Sequence, residues 1–167
     1  MKLTRVVPAV AAMAMLAACS PTAGTALVVD GQSVSEADLT RMADGCSQIL
    51  GQEIPRPDVV KILIMGHVFD GLAASSGQAI EDDQLKTVAG QMLTNGDAMV
   101  GDPDCGPVAL AAIKNQMLAE VDQEAALAVL KGLDVQMNPR YGRFTPGEDA
   151  LFATTGSLSV PAADAAE

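Results

Sequence analysis

The stretch from Val59 to Ala74 (V-V-K-I-L-I-M-G-H-V-F-D-G-L-A-A) constrains the fold of this chain more than any other. It is apolar almost all round, and a helix of that kind must be central and covered on most sides. Its length favours a helix over a strand near Val59–Met65. Pro55 and Pro57 break the chain ahead of it, Asp58 stands where a cap would, and Ser75-Ser76-Gly77 reads as the loop that ends it. The rest of the chain must then supply elements with one apolar face.

Three further helices do so. Ser35-Glu36-Ala37-Asp38-Leu39 opens one, with Ser35 as N-cap, acids in the first turn, and Val34 and Leu39 spaced as a hydrophobic staple. Leu39, Met42, Ala43, Cys46, Ile49 and Leu50 fall on one face, so Cys46 points at the core, and Gly51 ends the helix. Another opens near Ile80–Leu85 and carries Leu85, Val88, Ala89, Met92 and Leu93. The last runs from about Val108 to Leu130, with a bend near Asp122-Gln123. Asn95–Pro107 holds three Gly, two Pro and three Asp and reads as a surface loop. Short strands stand at both ends: Leu27-Val28-Val29, turned at Asp30-Gly31 into Gln32-Ser33-Val34, and the alternating Leu133–Met137. The expected fold class is mainly α, four helices with the N- and C-terminal strands paired.

Ahead of this domain lies a segment with the parts of an export signal. Lys2 and Arg5 give a positive start, Val6 to Leu16 an apolar run, and small residues follow. The run falls short of the roughly 20 apolar residues that span a bilayer. Its end, Leu16-Ala17-Ala18-Cys19, resembles the lipobox of bacterial lipoproteins. That resemblance implies cleavage after residue 18, diacylation of the Cys19 sulfur, and anchoring on the extracytoplasmic face of the cell membrane; an ordinary secretory signal with an incidental cysteine is the alternative. The expected layout is a signal at 1–18, the lipidated Cys19 and a tether to 26, a helical domain at 27–144 and a low-complexity tail at 145–167. That tail is expected to be mostly disordered, apart from Leu151, Phe152 and Leu158-Ser159-Val160. Seven stretched tether residues reach only about 25 Å, which keeps the domain near the bilayer.

With Cys19 assigned to lipid, Cys46 and Cys105 remain as a pair on the oxidising side of a membrane. A structural disulfide is expected, two buried thiols being the alternative, and neither cysteine has the C-x-x-C spacing of a redox motif. The signal holds two of the ten basic residues, so the mature chain sets eight against 21 acids, a formal charge of −13. That balance argues against nucleic acid and against lying flat on anionic headgroups.

Leu27 to Leu39 (L-V-V-D-G-Q-S-V-S-E-A-D-L) resembles the opening of SurA-type periplasmic chaperone N-terminal domains. Leu133 to Phe144 (L-D-V-Q-M-N-P-R-Y-G-R-F) resembles the late segment of SurA-like lipoproteins of actinobacteria. The resemblance covers about residues 27 to 144 and implies a helical domain whose end strands pair, with apolar surface that holds extended peptide. Related proteins often add a parvulin prolyl-isomerase domain of roughly a hundred residues. Only 23 residues follow Phe144, and parvulin sites use paired histidines where this chain has His67 alone, so prolyl isomerase activity is not expected.

His67 and Asp70, three apart on a helix, have the spacing of a carboxylate–imidazole pair, but no motif places a nucleophile beside them; a histidine satisfied within the core is favoured. Asp97, Asp102 and Asp104 miss the EF-hand order, and a solvated acidic loop is favoured. Too few Cys and His survive processing for a zinc site. Of the six methionines left, most fall on apolar faces and read as core; Met42, Met92 and Met117 are candidates for an adaptable peptide-binding surface. Arg140 and Arg143 flank Tyr141 and can bind a carboxylate or phosphate, which makes Arg140 and Tyr141 candidates for peptide or partner binding; an ion pair with the protein's own acids is favoured. The expectation is a non-enzymatic, lipid-anchored protein without cofactor or metal that binds unfolded or exported polypeptides. A structural or adaptor lipoprotein docking one envelope partner is the alternative.

Overall fold

The structure, a computed structural model, describes residues 24–148 and 150–153. Cys19, the signal segment and the last fourteen residues of the tail lie outside the described residues.

β1 (Thr25–Val29) turns through Asp30 and Gly31, both at positive φ, into β2 (Gln32–Ser35). An Asp-Gly pair suits a two-residue hairpin because each position tolerates the left-handed region. β1 is the middle strand of an antiparallel sheet in the order β2-β1-β3, where β3 is Val135–Met137. Leu27 stands opposite Met137, and Val29 opposite Val135, so the two extended ends of the domain lie side by side as expected. Ala26, Leu27 and Val29 are fully or almost fully buried, which makes β1 the floor of the main core.

The helices stand on that floor. α1 (Glu36–Leu50) starts where Ser35 Oγ accepts the Asp38 N–H at 3.0 Å and ends at Gly51, left-handed at φ 68°. α2 (Arg56–Ser76) begins two residues before Asp58; Pro57 occupies its first turn, where a missing N–H costs nothing, and Asp58 pairs with Lys61 instead of capping. By length and composition α2 is apolar enough to cross a membrane. In this fold it is the central post, with Val59, Val60, Ile64 and Val68 inaccessible to solvent. Gly66 lets it approach the fifth helix closely, since a Cβ there would lie 3.0 Å from that of Ala111.

The protein is mainly helical, but six helices form among the described residues where four were expected. α3 (Asp82–Met92) matches the third expected helix. α4 (Gly96–Gly101) then forms inside the stretch read as a loop. Tertiary contacts hold it: Asn95 Nδ2 donates to the Ile49 carbonyl at 3.1 Å, and Gly96 sits so close to α3 that a Cβ would meet the Ala89 oxygen at 2.2 Å. Gly-flanked and six residues long, it could not be read from propensity. The last expected helix is two: α5 (Gly106–Leu118) and α6 (Gln123–Gly132). Asp122 separates them by accepting the Glu124 N–H at 2.9 Å, which gives the chain a second N-cap where one helix bent at Asp122-Gln123 was expected.

Cys46 on α1 and Cys105 at the entry to α5 are joined, with Cα atoms 4.8 Å apart and both residues buried. After β3 a single 3-10 turn (Pro139–Tyr141) leads to β4 (Arg143–Phe144), which pairs with β5 (Phe152–Ala153). Regular structure thus continues past residue 144, with the Phe144 and Phe152 rings 5.7 Å apart. It also begins at Thr25, before the expected end of the tether.

Candidate functional site

The break at 119–122 has a consequence for the surface. α5 runs alongside the C-terminal half of α2, with Gly66 beside Ala111 and Asp70 paired with Lys114. The chain then turns away and recrosses α2 as α6, where a Cβ on Gly71 would lie 2.7 Å from Val129 Cγ1. Between the two crossings a cleft of about 490 Å³ opens. Phe69, Leu72 and Ala73 of α2 form one wall; Met117, Val121 and Ala125 form the other, and Ile80 closes one side. Its rim carries Ser75, Ser76, Gln78, Glu120 and Asp122. The volume lies within the range of about 300–1,000 Å³ typical of ligand sites, and the apolar walls with a sparse polar rim have the composition of one.

The sequence-derived candidates distribute unevenly around it. Met117 lines the cleft. Met92, at the end of α3, is 61% exposed but is not among the lining residues. Met42 is partly buried against the main core and works as packing. Phe69, Leu72 and Val121 were missed as site residues because only the α5–α6 break brings them together.

Arg140 and Tyr141 instead meet Glu36, about a hundred residues earlier. The Glu36 carboxylate accepts from Asn138 Nδ2 at 3.0 Å and from the Tyr141 hydroxyl, and Arg140 Nη1 stands 3.7 Å away. Asn138 also donates its backbone N–H to the Ala26 carbonyl at 2.9 Å and accepts the Arg140 N–H at 3.2 Å, so the Asn-Pro-Arg-Tyr segment is clasped to α1 and β1 at once. Burial, then the hydrogen bond to Glu36, pushes the Tyr141 phenol above its ordinary value of 10.0. Tyr141 itself is buried, while the Arg140 side chain stays more than half exposed at the edge of the cluster.

His67 and Asp70 border a smaller cleft of about 230 Å³ with Asp82 and Lys114. Asp70 is bound to Lys114, at 2.7 Å, and no hydrogen bond joins it to His67. The carboxylate that would orient the imidazole is therefore committed to a helix–helix ion pair. In the acidic stretch, Asp102 accepts the N–H groups of Asp104 (2.9 Å) and Cys105 (2.7 Å), and Asp104 pairs with Arg41. On the same side, the Ser35 hydroxyl and then Arg41 hold Asp38 below the usual carboxylate range. Among the described residues no three His, Cys, Asp or Glu gather as metal ligands would. Set against protein-family models, curated proteins and solved structures, the chain matches none of them.

Proposed function

We propose that this is a lipid-anchored protein of the extracytoplasmic membrane face that holds exposed apolar segments of exported polypeptides without chemistry, on a domain of the SurA N-terminal type. The observation that carries this reading is the open cleft between α2, α5 and α6, where Leu72, Ala73, Met117 and Val121 stay only partly buried among the described residues. A protein with no use for such a surface would gain by closing it, since burial stabilises by about 25 cal/mol per Å². The paired end strands and the Asn138–Tyr141 clasp support the same reading, as they hold the sheet together while leaving the cleft free. The signal layout and Cys19 supply the address, and a short tether keeps the cleft near emerging chains.

The test is an aggregation assay on an unfolded exported protein. The purified chain is expected to slow light-scattering growth in proportion to its concentration, and Leu72→Asp, which puts a carboxylate in the cleft wall, is expected to abolish the effect while leaving helical circular dichroism intact. No protection by the unaltered chain would refute the reading.

A further inference from the structure

The charges around the cleft have one sign. Glu120 and Asp122 are the charged residues that line it, and no Lys, Arg or His does among the described lining residues. Asp122 spends one oxygen on the Glu124 N–H, and Glu120 is exposed with no ion pair among the described residues.

Five of the eight basic residues in the described part of the chain are held by carboxylates that do not line the cleft. Arg41, Lys61, Lys86, Lys114 and Arg140 each pair with a carboxylate away from the rim acids. In a molecule of formal charge −11, the apolar cleft is thus lined by two acids and, among the described lining residues, by no base.

A purely apolar occupant would gain nothing from Glu120 and Asp122, and an acidic one would be repelled by them. Field lines from several like charges focus at a low-dielectric cleft and select the complementary sign, mainly through association rate and discrimination. We propose that the occupant is a cationic amphipathic polypeptide segment. Its apolar side chains would seat between Phe69, Leu72, Met117 and Val121, and flanking Lys or Arg would reach Glu120 and Asp122. This rests on the proposed function and narrows it from apolar segments in general to those with basic flanks.

The experiment uses the full chain in nanodiscs of zwitterionic lipid, with empty nanodiscs as blank. Two fluorescent peptides share one apolar core of Leu and Val, flanked by Lys in one and by Glu in the other, and binding is read by anisotropy. At low salt the Lys-flanked peptide is expected to bind at least about tenfold more tightly. The difference should shrink towards about twofold near 0.5 M salt, because rim charges are screened over a Debye length of a few Å there. Glu120→Lys should remove most of the preference without lowering affinity for the Glu-flanked peptide.

Equal binding of the two peptides overturns the cationic assignment and leaves the apolar-binding reading standing. Failure of both peptides to bind sinks both. A dimer that dissolves on Glu120→Lys, or uptake of a fluorescent fatty acid in place of either peptide, assigns the cleft to a second copy or to lipid and overturns the proposal.

Discussion

Loss of the Cys46–Cys105 bond is expected to be the most damaging small change in the described domain. The bond joins residues 59 apart in sequence, linking the middle of α1 to the first turn of α5 across the Gly-rich segment that contains α4. In the chain-entropy model, removing a crosslink that closes a loop of about 60 residues frees the unfolded chain by roughly 4 kcal/mol. Both cysteines are buried, Cys46 at 1% and Cys105 at 0%, so replacement by alanine leaves a small void that adds about 1 kcal/mol. Ordinary domains have about 5–15 kcal/mol of stability in total, so the double variant should keep a folded state with little to spare. For a domain of this size the loss corresponds to a melting point lower by roughly 10–20 °C. The assay is urea unfolding of Cys46→Ala/Cys105→Ala against the oxidised parent, followed by far-ultraviolet circular dichroism, with the same comparison made on the parent under reductant. A difference under about 1 kcal/mol, with unchanged dependence on urea, would show that the bond does not constrain the unfolded chain and would refute the reasoning.

Other outcomes follow from single contacts. Tyr141 is the chain's one tyrosine and there is no tryptophan, so tyrosinate absorbance titrates it alone; the native midpoint should lie above 10.0 and fall back in denaturant. A folded pKa raised above the unfolded one means its stabilising share is complete below about pH 10 and lost as pH rises through the folded value, so Tyr141→Phe should flatten the alkaline limb of the stability curve. Gly66→Leu, which must push α5 away from α2 at Ala111, should cost about 1–3 kcal/mol by thermal denaturation. His67→Ala should leave protection of an unfolded client within twofold, since Asp70 serves Lys114; a complete loss would restore the imidazole as a working group.

The parts of this fold that the sequence displays are those set by neighbours in the chain. Ser35 caps α1 and Gly51 ends it because the groups concerned are within a few residues, and Val59–Ala74 announces a covered helix through its own composition. Asp30-Gly31 likewise carries its hairpin in two residues. The parts that stayed hidden depend on partners far away. α4 exists because Asn95 reaches Ile49 and Gly96 fits under Ala89, and neither contact leaves a mark in the periodicity. Glu36 is the partner of both Arg140 and Tyr141 only because β1 and β3 lie together, a pairing about a hundred residues apart in sequence. The cleft belongs to the same class. Asp122, an N-cap residue type two positions before Glu124, was the available sign that the last helix would divide, and the notch it opens becomes a site only because α2 runs past it.

The claim on which the account turns is that the apolar cleft beside α2 is where a client is held. A photoreactive side chain placed singly at Ala73 or Ala125, in the cleft walls, and at Asp44, exposed on α1, reports this directly by crosslinking to an unfolded exported protein. Strong adducts from the first two positions and few from Asp44 are expected, with both cleft signals suppressed by excess Lys-flanked apolar peptide. Adducts of equal yield from all three, or none from the cleft, would contradict it.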